Sequence, residues 1–203
     1  KVDEKLLDEA VLRVLELKNK LGLFENPFKD ADEEAEKELL LCADHREKAK
    51  EAAKETFVLL ENNGILPLKK EEKVAFIGPY TEEKAIIGAW SIFAREEDAV
   101  SIEEGVTAYG GNAIFEKGCE LISEGASIQG MNRLYTGTGM AENREKKLLK
   151  AVKAAKEADK VVLCIGEHMA QTGEAASRGD ITIPENQITL LEKIAEVNQN
   201  IVV

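Results

Sequence analysis

Aromatic residues are scarce in this sequence of 203 residues, and basic residues are outnumbered by acidic ones. Aromatics make up only 5% of it, with a single tryptophan, which argues against an extended aromatic platform of the kind that stacks on sugar rings. Lysine and arginine total 27 against 39 aspartates and glutamates, so the net charge is −12. Because phosphate groups are bound by clustered basic side chains, this balance argues against nucleic acid and against an anionic membrane as partners.

Cysteines are few as well. Cys42, Cys119 and Cys164 lie far apart and form no CxxC pair, so neither a disulfide framework nor a zinc site is predicted. Free thiols fit a reducing compartment, and we therefore expect a cytoplasmic location. No apolar run is long enough to span a membrane. The glycine-rich motifs for dinucleotides or nucleoside triphosphates and the GxSxG motif are missing, so we expect no cofactor. Since no histidines or cysteines lie at metal-ligand spacing, we expect no metal ion either.

Strand patterns alternate with helix patterns along the chain. Short runs rich in β-branched residues predict strands at 73–79, 112–118, 160–167 and 200–203. Amphipathic patterns predict helices at 3–21, 32–55, 145–160 and 184–200, the last with Pro184 at its first position. The stretch 56–62 could be a strand or the end of a helix. This alternation predicts an α/β fold: a mostly parallel sheet flanked by helices, a flavodoxin-like α/β sandwich.

The loops that follow the strands are the places to look for a site, because open parallel sheets bind ligands at the carboxyl ends of their strands. These loops are 78–95, 118–140 and 166–183. The third contains Glu167, directly after a strand, and Glu174, between Gly173 and Ala175. Pairs of carboxyl groups perform acid/base chemistry such as glycoside cleavage. Either glutamate could serve as the acid, and either could instead organise the loop.

Two other residues of the third loop are candidates for supporting it. His168 lacks a second histidine or cysteine at metal-ligand spacing, so a hydrogen-bonding role is favoured over a metal site. Arg178 and Asp180 are close enough in sequence to fix the loop by an ion pair, which is favoured over contact with a substrate.

The first loop adds Trp90 and Arg95. Trp90 could stack on a sugar ring, and packing in the core is an equal alternative. Arg95 could reach a ligand or a neighbouring domain, but its acidic neighbours favour a solvated charge.

Four phrases of the sequence resemble one family. AKETFVLLENNGILPLKKEEKVAFIGP (53–79), GAWS (88–91) and IGEHMAQTGEAASRGDITIPENQ (165–187) are similar to the second domain of family 3 glycoside hydrolases, the β-glucosidases and β-xylosidases. RVLELKNKLGLFENPF (13–28) resembles the end of that family's barrel domain and its linker. The resemblance implies domains at 1–28, the barrel's tail, and 29–203, an incomplete C-terminal α/β sandwich.

The resemblance also implies a chemistry. It implies a retaining enzyme whose barrel supplies an aspartate nucleophile, while Glu174 matches the acid/base glutamate and Glu167 a supporting position. The expected partners are a β-glucoside or oligosaccharide substrate, the barrel domain and, in a homodimer, a second copy. The alternative is a non-catalytic flavodoxin-like module that binds a small ligand or a partner, which rests on fold analogy alone.

Overall fold

A computed structural model describes residues 2–88, 90–91, 95–123, 144–171, 173–174 and 178–203. The helices are α1 (Glu4–Lys20), α2 (Glu33–Leu39), α3 (Ala43–Glu55), α4 (Ile102–Tyr109), α5 (Arg144–Glu157) and α6 (Glu185–Ala195). The strands are β1 (Lys73–Ile77), β2 (Asn112–Glu116), β3 (Lys160–Leu163) and β4 (Ile201–Val202). Short 3-10 helices cover Glu96–Asp98 and Met169–Gln171. Within these ranges, no helix combines the length and the apolar character needed to cross a bilayer.

The chain divides into two compact units, Lys1–Glu61 and Asn62–Val203. In the first unit, the single helix predicted at 32–55 is wrong: α2 ends near Leu40, and α3 begins after Cys42. Between them Leu41 adopts a φ of 56°, which a helix cannot contain. Leucine is a good helix former, so intrinsic propensity gives no sign of this break.

The apolar stretch after α3 is neither a strand nor a helix end. Residues 57–62 have irregular backbone, and their large side chains are exposed, among them Phe57 and Leu60. The domain boundary expected near residue 28 stays a prediction.

The second unit is built on a parallel sheet with the strand order β2-β1-β3-β4. This confirms the α/β class and the predicted strands, each somewhat shorter than its pattern suggested. Val74 pairs with Lys160, Ile77 with Leu163, and Phe76 with Phe115. The central strands are largely apolar, as in parallel sheets that helices cover. Residues Ala75, Ile77, Val161 and Leu163 are buried in the core with α5 and α6, whereas Phe76 and Val162 are only partly buried.

The core lies between the sheet and the helices α5 and α6. The buried residues are mostly small on α5 and large on α6 and the strands: Ala151, Ala154, Ala155, Leu190, Ile194, Ala75, Ile77, Val161 and Leu163. The alanines let α5 approach the sheet closely. Pro184 is the N-cap residue of α6 and not its first helical residue, a shift of one position within the usual uncertainty of helix ends.

Helix α4 is absent from the sequence prediction, although a local signal marks its start. The Ser101 hydroxyl accepts a hydrogen bond from the Glu104 amide at 3.2 Å, and the Glu104 carboxylate accepts one from the Ser101 amide at 3.0 Å. This reciprocal arrangement is a capping box, which a serine followed three residues later by a glutamate indicates.

The strand order places a switch point beside β1. The connection after β1 leads to β2 on one side, whereas β3 lies on the other side. In open parallel sheets, the crevice at such a point is where ligands bind. The loops after β1 and β3 therefore meet where a site is expected.

Candidate functional site

The loops after β1 and β3 approach each other through backbone contacts. The Cys164 amide donates to the Ile77 carbonyl at 2.7 Å, and the Tyr80 amide donates to the Cys164 carbonyl at 3.2 Å. Gly78 adopts a φ of 140°, and a Cβ there would lie 2.2 Å from the Cys164 oxygen. Only glycine fits this position, which fixes the distance between the two strand exits.

Tyr80 joins the same two loops through its side chain. Its hydroxyl donates a hydrogen bond to the backbone carbonyl of Glu167. Burial raises the pKa of Tyr80 to about 12, and the charges of Glu83 and Glu167 act in the same direction. The hydroxyl therefore keeps its proton and remains a donor at neutral pH.

An ion pair brings the start of the third loop to its end. The Glu167 Oε1 atom lies 2.6 Å from Arg178 Nη1. The contact is an ion pair and not a hydrogen bond, because Nη1 makes no hydrogen bond of acceptable geometry within the described part of the chain. Arg178 also donates from Nε to the Asp180 carbonyl at 3.0 Å and from Nη2 to the Thr182 carbonyl at 2.5 Å.

The structure thereby changes the expected partner of Arg178. The guanidinium binds the backbone of Asp180, and its ion pair is with Glu167. The Asp180 carboxylate instead accepts a hydrogen bond from the Thr182 amide at 3.0 Å. Hydrogen bonds from Thr182 lower the pKa of Asp180, and the nearby Arg178 charge adds to the effect.

His168, in the third loop, is buried with only 6% of its surface exposed. Its amide donates to the Gln171 side-chain oxygen at 3.2 Å. Burial lowers the pKa of the His168 imidazole, and the charge of Glu83 opposes this shift. Among the residues that the structure describes, no group of three or more potential metal ligands occurs.

Glu174 is exposed, in a turn that follows the 3-10 helix Met169–Gln171. The Glu167–Arg178 ion pair draws together the two ends of the segment that carries it. Its neighbours Thr172 and 175–177 lie outside the described residues. Glu174 is thus a carboxyl group on the surface of a loop whose base is fixed.

The first loop contributed two candidates, Trp90 and Arg95. Trp90 is 62% exposed, so it is not a core residue, and its indole is available for stacking. Arg95 forms two hydrogen bonds with Asp98, at 2.8 Å from Nε and 3.0 Å from Nη2. Arg95 therefore stabilises the short helix Glu96–Asp98, close to the solvated role favoured from its acidic neighbours.

Sequence reasoning missed two residues that connect the strand exits, Tyr80 and Gln187. Gln187 is fully buried on the apolar stripe of α6 together with Leu190 and Ile194. A polar residue in that stripe was the signal that could have revealed it. Tyr80 follows the strand exit directly, and its sequence context carries no comparable signal.

This fold and these loops define a class: a flavodoxin-like α/β domain with a carboxylate-bearing loop at the switch point. Comparison with known families is more specific. Residues 57–203 match the glycosyl hydrolase family 3 C-terminal domain. The chain belongs to this family, as the resemblance of its motifs implied.

Individual relatives agree with the family match. The chain is 31% identical to a periplasmic β-glucosidase of Salmonella typhimurium over 97% of its length, and 30% identical to a β-xylosidase of Formosa agariphila over 98%. A crystal structure of a β-glucosidase from Listeria innocua in complex with isofagomine superposes with a TM-score of 0.81 at 32% identity, covering 98% of this chain and 25% of that one. The chain spans 27% of the Salmonella protein and 26% of the Formosa protein.

Proposed function

We propose that this chain is the acid/base half of a retaining β-glycosidase that removes terminal non-reducing β-D-glucosyl or xylosyl residues. Glu174 is the proposed acid/base residue. The observation that carries the proposal is its exposed position on a loop at the carboxyl edge of the sheet, with the base of that loop fixed by Glu167 and Arg178. The family match and the relatives named β-glucosidase and β-xylosidase support it, and they favour it over a non-catalytic module.

The proposed mechanism needs a second carboxyl group from another domain. Retaining glycosidases hold two carboxyl groups about 5–5.5 Å apart, one as nucleophile and one as acid/base. We assign the nucleophile to an aspartate of a barrel domain that packs over the exposed loop. Covering a carboxyl group in this way removes water from it and favours its protonated form, which an acid needs before it can give up a proton.

The first unit of the chain carries an exposed apolar surface that fits the tail of the barrel domain. Helix α1 has no buried residue, and its large apolar side chains are exposed: Leu6, Leu7, Val11, Leu12, Val14, Leu15 and Leu17. Apolar surfaces of this kind mark sites of contact with other protein surfaces. Because residues 1–28 resemble the end of the barrel domain, we assign this helix to the barrel itself, where its apolar side chains pack against the rest of that domain.

The test is Glu174→Gln in the full-length enzyme. Loss of the proton donor should lower kcat/KM by about 100-fold or more on alkyl β-glucosides, whose leaving groups need protonation. Activated dinitrophenyl β-glucoside should lose much less in its first step, because its leaving group departs without a proton. The glycosylated enzyme should then accumulate, and azide should accelerate its turnover.

Two further variants make this test specific. Glu167→Gln reports whether the strand-end glutamate is the donor instead, and Glu192→Gln makes the same change at an exposed position of α6. Equal losses on both substrates for Glu174→Gln, or the selective loss in Glu167→Gln, would contradict the assignment of Glu174.

A further inference from the structure

Gln187 is a buried polar residue whose side chain connects two strand exits. It is 0% exposed. Its Oε1 atom accepts a hydrogen bond from the Gly166 amide at 2.8 Å. Its Nε2 group donates to the Gly166 carbonyl at 2.9 Å and to the Leu121 carbonyl at 2.7 Å. One amide group therefore binds the loop after β3 and the loop after β2 at once.

The residue before it extends the same connection. Asn186 donates from Nδ2 to the Glu120 carbonyl at 2.5 Å, and its Oδ1 accepts from the Ser123 hydroxyl at 2.6 Å. The Asn186 amide donates back to the Ser123 oxygen at 3.3 Å. The first turn of α6 is thus attached to the segment after β2 at several positions.

The contact with Gly166 fixes the start of the third loop. Gly166 immediately precedes Glu167, whose carbonyl is held by Tyr80 and whose carboxylate is paired with Arg178. The amide and the carbonyl of Gly166 are both bound by one buried side chain. The start of the loop that carries Glu174 is therefore held by three side chains, those of Tyr80, Arg178 and Gln187. Of these contacts, the one made by Gln187 is buried.

Burying a glutamine beside Leu190 and Ile194 has a cost unless its polar atoms are all paired. Here both polar atoms are paired, and each partner is a backbone group of a strand exit. An apolar residue of similar length would fill the same volume but would leave these three groups without their partner. The side chain is thus suited to holding loops in place more than to filling the core.

We propose that Gln187 is a positioning residue for the acid/base loop: it fixes Gly166 against the β2 exit, and so sets where Glu174 meets the leaving group. This inference rests on the proposed function. It gives Gln187 no contact with substrate. Because small displacements of a catalytic group cost about 100-fold in rate, loosening the root of the loop should impair proton transfer.

The experiment is Gln187→Glu in the full-length enzyme. The new carboxylate can still accept from the Gly166 amide, but it cannot donate to the two carbonyls. We expect kcat/KM to decrease on both substrates, and the decrease on an alkyl β-glucoside to be about tenfold or more larger than that on dinitrophenyl β-glucoside. A purely structural effect would lower the concentration of active enzyme and reduce both rates equally.

Asn198→Asp is the matched control. Asn198 also accepts from one backbone amide, that of Asn200 at 2.9 Å, and donates to two carbonyls, those of Ala155 at 2.9 Å and Ala158 at 3.0 Å. It lies just before β4, at the amino ends of the strands and thus at the end of the sheet opposite to the candidate site. The same chemical change there should lower stability without altering the ratio of the two rates.

The outcomes separate this inference from the proposed function. A selective loss in Gln187→Glu, absent from Asn198→Asp, supports it. The inference is overturned if Gln187→Glu leaves the ratio of kcat/KM on the two substrates as in wild type, or if Asn198→Asp changes that ratio equally. In either case, a selective effect of Glu174→Gln leaves the proposed function standing. A non-selective Glu174→Gln overturns both. If Gln187→Glu does not fold, Gln187→Met replaces it, because methionine introduces no charge. The same ratio of kcat/KM on the two substrates is then measured.

Discussion

At the scale of single residues, three buried or half-buried polar side chains of this domain lie at the carboxyl edge of the sheet. Tyr80, His168 and Gln187 all contact the loops that leave the strands there. None of them is an isolated polar group in the core, because each has a hydrogen bond through its side chain or its backbone. Their shared location means that changes in their protonation or bonding act on the candidate site first.

His168 should make the stability of the 203-residue protein sensitive to acid. Its pKa is lowered from 6.5 in the folded state by burial, so the unfolded chain takes up a proton at a higher pH than the folded one. Stability therefore rises with pH in this window, and it is lost as the pH falls below about 6.5. His168→Gln should reduce this loss, as measured by urea denaturation at about pH 7.5 and about pH 5.5.

The matched control for that prediction is His45→Gln. His45 is exposed on α3, so this variant makes the same substitution away from the buried imidazole. If wild type and His168→Gln lose the same free energy of unfolding between the two pH values, the buried imidazole is not responsible for the acid sensitivity.

At the scale of elements, the close approach of the loops that leave β1 and β3 requires glycine at position 78. Gly78→Ala should destabilise the protein by about 3 kcal/mol or more, because its Cβ would meet the Cys164 backbone and its φ is unfavourable for alanine. Thermal or urea unfolding measures the change.

Gly105→Ala is the comparison within an element. Gly105 lies inside α4, and a Cβ there has its nearest neighbour, a Val100 methyl group, at 3.9 Å. Alanine should therefore stabilise the protein by about 0.5–1 kcal/mol. A loss of similar size in both variants would show that the contact between β1 and β3 is not what makes Gly78 necessary.

At the scale of the whole molecule, the proposed half-site predicts that the 203-residue chain alone does not hydrolyse β-glucosides. A retaining mechanism requires a nucleophile opposite Glu174, and that group is assigned to another domain. The measurement is release of nitrophenol from nitrophenyl β-glucoside by the isolated chain and by the full-length enzyme. Turnover by the isolated chain that Glu174→Gln abolishes would contradict this division of the site.

The sequence predicted much of the architecture of this domain. The strand at 160–163 follows from an uninterrupted β-branched run, and α5 and α6 follow from apolar positions repeated at helical spacing. These features are local, because each residue's neighbours along the chain decide them. The break at Leu41 and the irregular backbone after α3 escaped prediction, since favourable local propensity was overridden there.

The sequence by itself determined the α/β class, the parallel sheet and the family, and it predicted the third loop as the place of a catalytic carboxyl group. Only the tertiary structure decided which residues hold that loop: Arg178 pairs with Glu167 and not with the Asp180 carboxylate, and Gln187 binds Gly166 and Leu121. The reason is physical. Periodicity along a chain records which face of an element is buried, whereas a hydrogen bond between distant residues exists only after folding has brought their strands together.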